Sequence, residues 1–584
     1  MESKLTQYPN LNELGERCIL LDDRSTRADT LPSPTSPVDK NSGPRARPSD
    51  NESREGNKSS RGARRWLLWL FPSAADVLFV ALLLGLSCGV LGRLLLRDAD
   101  IGWHIRNGEQ MLVTHAIPHT DSFSSTMSGH SWFAWEWLYD VVFALIHHAF
   151  GLNGVVFYTA AIIAATFVLA LYSGLRRGAT LPVMLALLIF ALGASAVHFL
   201  ARPHVVSWLF TVIWFELLDS SEHRGNRRLI WLPLLMVLWV NSHGGFVVGF
   251  LLLAIYLVAN AIQHFTRREA GKAWAQRMRW LSAITVVTFA ASFINPYGYH
   301  LHVHIYRYLS DRFLMNQISE FLAPDFHGGA QQCFVILLIL AVVALASAPR
   351  VIGISEVLVV ICAAYLGCYA TRNLPIAGLL ISLVVAPILS DSIASAEKSL
   401  TMTLWLKALL NRLDSFGSRM RKLELELQGH VWMLAVFVLG LWACFDRGRV
   451  GSTQLLDAYF DCKRFPVEAT NYISEHRIRE PIFSLDYWGG YLIYRIYPQG
   501  KVVLDDRHDL YGDQFFKEYL KVVLIQPGWE KVLDRLGVDW VLLPGGSTLA
   551  NMLRLTPRWT IVHEDGTAVL FQRAPNSPEA SAGD

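Results

Sequence analysis

The sequence predicts a mainly α-helical polytopic membrane protein that carries an α/β domain outside the membrane at its C-terminal end. Three observations predict it. Of 584 residues, 52% are hydrophobic and 12% aromatic, and the mean hydropathy is positive. Apolar runs close to span length recur between residues 75 and 446. After the last run, short β-type runs alternate with helical patterns, the signature of an α/β unit. The formal net charge of +3 says little about partners by itself, and no nucleic-acid partner is expected.

Residues 1–62 are rich in Ser, Pro, Asn and mixed charge and almost free of aromatics. Such a segment cannot bury a core and is expected to be disordered. Its start lacks the basic region and apolar stretch of a secretory signal. Arg61, Arg64 and Arg65 stand directly before the first apolar run and assign the tail to the cytoplasm. Spans are expected at 75–96, 153–174, 180–197, 204–219, 229–242, 246–262, 280–294, 331–347, 351–370, 373–391 and 431–446, eleven in all. The expected domains are therefore the tail at 1–62, a transmembrane domain at 63–449 with its first outer loop at 97–152, an outer α/β domain at 450–575, and a disordered end at 576–584.

Charge distribution supports that topology. With the N-terminus inside, the cytoplasmic loops carry Arg176 and Arg177, SSEHRGNRR, HFTRREAGKAWAQRMR, Arg350, and Lys407, Arg412, Arg419 and Arg421. The outer loops hold ARPH at 201–204, NSHGG at 241–245, NPYGYHLHVH at 295–304, EFLAPDF at 320–326 and TRN at 371–373. Segment 132–150, WFAWEWLYDVVFALIHHAF, reads as an interfacial helix: Trp132, Trp135, Trp137 and Tyr139 suit the headgroup level, whereas Glu136, Asp140, His147 and His148 do not suit a bilayer centre. Seven cysteines without a CxxC pair give no disulfide or metal framework.

Candidate chemistry gathers directly after the first span. Asp98, Asp100, His104, Arg106 and Glu109 share one amphipathic segment, with a helix expected over 101–115. Ionisable groups beside hydrocarbon are costly and suggest function, although Asp98 or Asp100 would also serve as a helix cap. His104 follows Asp100 by four residues and shares its helix face. His300, His302 and His304 alternate as in an extended segment and read as interfacial histidines; no metal ligand set follows from spacing. In the C-terminal part, PIFSLDY, KVVLDDR and VDWVLLP read as strands. Helices are expected near 490–497, 513–525, 529–536 and 548–555, with a closing hairpin around Asp565 and Gly566. Gly489 and Gly490 would admit a ligand closely, and Asp505, Asp506, Arg507, His508 and Asp509 sit at a strand end, either as loop caps and ion pairs or as a ligand site.

DADIGWHIRNGEQML, IPHTDSFS, EWL, NSHGG, NPYG and DYWGGYLIYR resemble a group of bacterial multipass proteins, and residues 75–575 as a whole resemble the GT-C superfamily of membrane glycosyltransferases. Gly102 stands where that group usually has a tryptophan, and the adjacent Asp-Glu pair of the mannosyltransferases is missing. The resemblance implies inverting transfer of a hexosyl or pentosyl unit from a polyprenyl-phosphate carrier to an extracytoplasmic acceptor, in a bacterial inner membrane with the C-terminal domain periplasmic. By the same resemblance Asp100 or Asp98 is the catalytic carboxylate, and His104, Glu136, Arg202, His204, His243 and Arg372 bind substrate. Arginine suits the leaving phosphate through its planar fork. Metal-independent transfer is commoner in the resembled families, while oligosaccharyltransferases of the superfamily use a divalent cation. A secondary transporter and a non-catalytic lipid-handling or assembly protein are the competing expectations. A transporter would place its ionisable groups near mid-membrane, not at one surface.

Overall fold

The computed structural model describes residues 68–224, 226–267, 272–396, 402–427 and 430–574, all within the compact unit Ala63–Asp584. The tail expected at 1–62 and the end expected at 576–584 lie outside the described residues.

The chain is mostly helical. Among the described residues six helices are long and apolar enough to cross a membrane: Leu68–Ser87, Trp137–Arg176, Leu181–His198, Gly244–His264, Gly329–Ser347 and Thr371–Ser395. A seventh span results if Leu404–Glu426 and Val431–Phe445, bent by 64°, act together. The other expected runs are also helical, but shorter or more charged. Leu232–Val240 has nine residues, about 13 Å of helix against a hydrocarbon core of about 30 Å. His204–Arg224 carries Glu216 and Asp219.

Trp137–Arg176 is two helical arms meeting at Gly151, whose φ of 61° a residue without Cβ adopts freely. The break falls between the expected interfacial segment and the following span. Thr371–Ser395 is apolar on all sides and lies in the middle of the bundle, with every residue from Leu374 to Ile388 buried.

The C-terminal part contains a two-stranded hairpin, β1 (Arg449–Val450) and β2 (Thr453–Gln454). Its main sheet joins β3 (Ile482–Ser484), β4 (Trp540–Pro544), β5 (Trp559–Glu564) and β6 (Ala568–Arg573) in the order β3-β4-β6-β5. Strands β3 and β4 are parallel, and the other pairs antiparallel. Helices Asp486–Ile496, His508–Val523, Trp529–Arg535 and Thr548–Leu555 alternate with the strands. KVVLDDR is no strand of its own. Val502 bridges in parallel to Ile482 on one side and to Ser124 of segment 97–152 on the other, so that segment is stitched to the sheet edge.

The two parts share one apolar core. Trp488, Tyr491 and Leu492 belong to the same buried cluster as Ile101, Trp103 and the bundle, while a second core of Phe483, Tyr511, Phe516 and Trp529 in the C-terminal part also takes in Leu314. Gly489 and Gly490 serve this packing. A Cβ on Gly102 would lie 2.3 Å from the Gly490 carbonyl oxygen, one on Gly490 2.4 Å from that of Ala99, and one on Gly489 2.4 Å from the Asp505 Cα. Backbone therefore approaches backbone, where the sequence suggested a ligand.

His300, His302 and His304 lie on the helix Tyr299–Ser310 and not on an extended segment. At this spacing their side chains diverge: His302 meets Ser292 at 2.9 Å and His304 meets Asp509 at 3.2 Å.

Candidate active site

Asp98 and Asp100 project where the chain turns from Gly89–Leu94 into the helix Asp100–Thr114. Asp98 does act as a local cap, its Oδ1 accepting from the Asp100 N–H at 3.0 Å. Both carboxylates also engage Arg202 from the loop before His204: Asp98 Oδ2 at 3.0 Å and Asp100 Oδ2 at 2.5 Å. The Trp103 indole N–H donates to Asp100 Oδ1 at 3.1 Å. Asp98 thus both caps and pairs with Arg202, whereas Asp100 pairs with it without capping.

The C-terminal part adds Asp506. One oxygen from each of Asp98, Asp100 and Asp506 lies within 4.8 Å of the others, and Asp506 Oδ1 is buried without a partner. Burial and the neighbouring Asp100 push Asp506 well above the usual carboxylate range. Burial would raise Asp100 as well, but Arg202 and hydrogen bonds from Asp506 and Trp103 hold it below that range. Asp98 is raised, burial outweighing Arg202. The Asp506 and Asp100 side chains share a hydrogen bond. Three hard oxygen donors from two parts of the chain also fit a divalent cation such as Mg²⁺ or Mn²⁺.

Asp506 is aimed by its neighbours. Arg507 makes a bidentate pair with Asp505 at 2.8 and 2.7 Å and reaches Asp121 of segment 97–152 at 2.8 Å. Its guanidinium lies 4.6 Å from the Trp132 ring centroid. The Tyr511 hydroxyl donates to Asp505 at 2.9 Å, and His508 pairs with Asp486 at 3.2 Å. Ion pairing, expected as one reading of this run, accounts for Asp505 and Arg507; Asp506 between them faces the other way.

Glu320 and Arg372 complete the charged rim. They pair at 3.5 Å, with the Arg372 guanidinium 4.4 Å from the Phe321 ring centroid. Burial opposes the charge on Glu320, but Arg372 and Arg202 hold it well below the usual carboxylate range.

A second group lies beside this cluster. His104 Nδ1 is 2.7 Å from Asp140 Oδ1, and the Asn107 amide donates to the other Asp140 oxygen at 2.6 Å. Glu136 stands between His104 at 3.8 Å and His243 at 3.6 Å. His243 Nδ1 accepts from the Gly245 N–H at 3.0 Å and meets the Ser207 hydroxyl at 2.7 Å. His204 turns away from the carboxylates and donates to the His198 carbonyl at 2.8 Å, fixing the loop that carries Arg202.

Asp98, Asp100 and Arg202 therefore meet directly, as do His104, Glu136 and His243, and Arg372 joins through Glu320. Sequence reasoning did not single out Glu320, Asp140 or Asp121 as site residues, and it named Asp506 only within a run that could be either loop caps and ion pairs or a ligand site. Glu320 carried a legible signal, an acidic residue opening EFLAPDF, a segment expected to be an outer loop.

No protein-family model and no curated protein matches the chain. Among solved structures, the archaeal oligosaccharyltransferase AglB from Archaeoglobus fulgidus, in complex with an inhibitory peptide and a dolichol-phosphate, matches with a TM-score of 0.53. The match has 11% identity and covers 86% of this chain and 74% of AglB. ArnT from Cupriavidus metallidurans bound to undecaprenyl phosphate matches with a TM-score of 0.42 and 13% identity, over 87% of this chain and 98% of ArnT. At such identity the likeness to AglB is one of fold alone.

Proposed function

We propose that the protein transfers a sugar from a polyprenyl-phosphate carrier to an acceptor hydroxyl or amine on the extracytoplasmic face of a bacterial inner membrane. The observation that carries this reading is the convergence of Asp98, Asp100, Arg202 and Asp506 from three distant stretches of chain, with Arg372 and Glu320 beside them. Packing apolar helices needs no such set, and burying it is costly unless it has a task. The dolichol-phosphate of the AglB structure supports a polyprenyl phosphate as the carrier. The eleven-span topology, with the N-terminus inside and the C-terminal part outside, belongs to the same proposal.

In this reading Arg372, paired with Glu320 at 3.5 Å, offers its remaining N–H groups to the donor phosphate. Of the two roles a carboxylate could take here, base or acceptor-orienting group, we assign Asp100 the second. Arg202 and Trp103 already occupy both of its oxygens and keep it ionised. A divalent cation held by Asp98, Asp100 and Asp506 would supply positive charge to the phosphate.

Asp100→Asn should lower turnover on the order of 10²-fold through a misplaced acceptor, with melting behaviour near that of the wild type. Arg372→Ala should raise the apparent KM for the donor with little change in kcat, as expected for a contact equally strong in ground and transition states. Transfer unaffected by either substitution would rule out this placing of the site.

Topology has its own check. Cys462 is exposed, and in this topology a membrane-impermeant maleimide added from the periplasmic side should label it, with the label absent in Cys462→Ser. Labelling only after the cytoplasmic side is opened would invert the assignment.

A further inference from the structure

The carboxylate of Glu136 stands beside the charged rim and is held differently from it. Glu136 precedes the helix Trp137–Arg176 but does not cap it: no side-chain hydrogen bond reaches the helix N-terminus. Its separations from His104 and His243, 3.8 and 3.6 Å, are both longer than a hydrogen bond. Two imidazoles therefore flank the carboxylate while its lone pairs stay available. Its side chain is 12% exposed, so a small polar group can reach it.

The flanking histidines are built to stay where they are. His243 Nδ1 accepts the Gly245 N–H and the Ser207 hydroxyl, and the Trp239 indole N–H donates to the same hydroxyl oxygen at 2.7 Å. Assigned from this network, the His243 proton sits on Nε2, the nitrogen facing Glu136. Burial and Arg372 keep this imidazole neutral, well below its ordinary range. His104 gives its Nδ1 proton to Asp140, which Asn107 fixes from the far side, and turns Nε2 toward Glu136. Asp140 is locked too, since a Cβ on Gly108 would lie 2.0 Å from its carbonyl oxygen.

We propose that Glu136 is the catalytic base of the transfer, with His104 and His243 as positioning residues; this rests on the sugar-transfer reading. Glu136 takes the proton of the attacking acceptor hydroxyl or amine as the bond from the acceptor atom to the anomeric carbon forms. The bond from that carbon to the phosphate oxygen breaks, and the polyprenyl phosphate leaves with the electron pair. The proton passes from Glu136 to solvent after the product departs. Burial and the neighbouring Asp140 raise Glu136 to about 7 against the opposing charges of His104, Arg202 and Arg372. A base with that affinity is matched to neutral pH. Asp100, ionised and occupied by Arg202, is not.

The test uses the full-length protein in lipid nanodiscs and two measurements. A pH-difference infrared spectrum of the wild type minus that of Glu136→Gln should show one carboxyl group ionising with a midpoint near 7. Release of undecaprenyl phosphate is then followed from a panel of undecaprenyl-phosphate monosaccharides, with a periplasmic and membrane extract as acceptor source. Wild-type release should rise with pH through the same midpoint. Glu136→Gln should lower release by about 10²- to 10⁴-fold while binding undecaprenyl phosphate as the wild type does, and Glu136→Asp should retain part of the rate. A midpoint in the ordinary carboxylate range overturns the assignment. So does a Glu136→Gln protein that releases carrier at the wild-type rate and with the same pH profile; in that case the transfer reading stands. A wild type that releases no carrier from any donor of the panel overturns the transfer reading and the base with it.

Discussion

Arg507→Met should destabilise the protein by about 3–5 kcal/mol, the range for removing one partner of a buried ion pair. Arg507 is only 4% exposed, and Asp121 and Asp505, which it neutralises, are 3% and 0% exposed. Methionine keeps much of the packing against Trp132 and Phe123 but leaves two carboxylates buried without a cation. The pH dependence follows from Asp121. Burial opposes its ionisation, yet Arg507 and hydrogen bonds from Ser124 hold it below the usual carboxylate range. A depressed carboxylate contributes stability that is present above its unfolded value and lost as the pH falls through the lowered folded one. Without Arg507 that contribution disappears and the buried carboxylates favour protonation. Thermal melts should therefore show a wide gap between wild type and Arg507→Met at neutral pH, narrowing as the pH approaches 4. A variant that melted like the wild type at neutral pH would show that Arg507 does not join segment 97–152 to the C-terminal part.

Gly102→Trp should be more disruptive still. The chains this sequence resembles usually have tryptophan here, yet a Cβ at Gly102 would lie 2.3 Å from the Gly490 carbonyl oxygen and 2.7 Å from the Tyr494 Cβ. Even alanine must push two helices apart, at about 1–3 kcal/mol by the cost of overpacking. An indole cannot enter without displacing Asp486–Ile496, and that displacement would withdraw Asp506 from Asp100. Limited proteolysis should then cut the 450–466 connection faster than in the wild type, and transfer should fall with it. Wild-type protection in Gly102→Trp would mean that the two helices do not depend on this close approach.

These substitutions mark what the sequence could and could not convey. Local signals were legible: a helix expected at 101–115 is observed at Asp100–Thr114, one expected at 548–555 at Thr548–Leu555, and Asp565 and Gly566 do turn between β5 and β6. Each of these depends on neighbours within a few residues. Apolar runs located the helices but not their lengths, since an apolar run such as 229–242 can begin in a 3₁₀ turn and leave only nine residues of helix. The site was legible as residue types at one expected surface, among them Asp98, Asp100, Arg202 and Arg372, but not as pairings. That Asp506 would reach Asp100, or Arg507 reach Asp121, depends on contacts about four hundred residues apart, which no periodicity encodes. The roles of Gly102 and Gly490 were hidden for the same reason.

Polyprenyl-phosphate recognition can be tested most directly by mass spectrometry of the full-length protein released from its own membrane. The wild type should carry a polyprenyl phosphate or its sugar adduct, and Arg372→Ala should have lost most of it while keeping its bulk phospholipid. Finding only bulk phospholipid, at the same level in both proteins, would contradict a donor site at this surface.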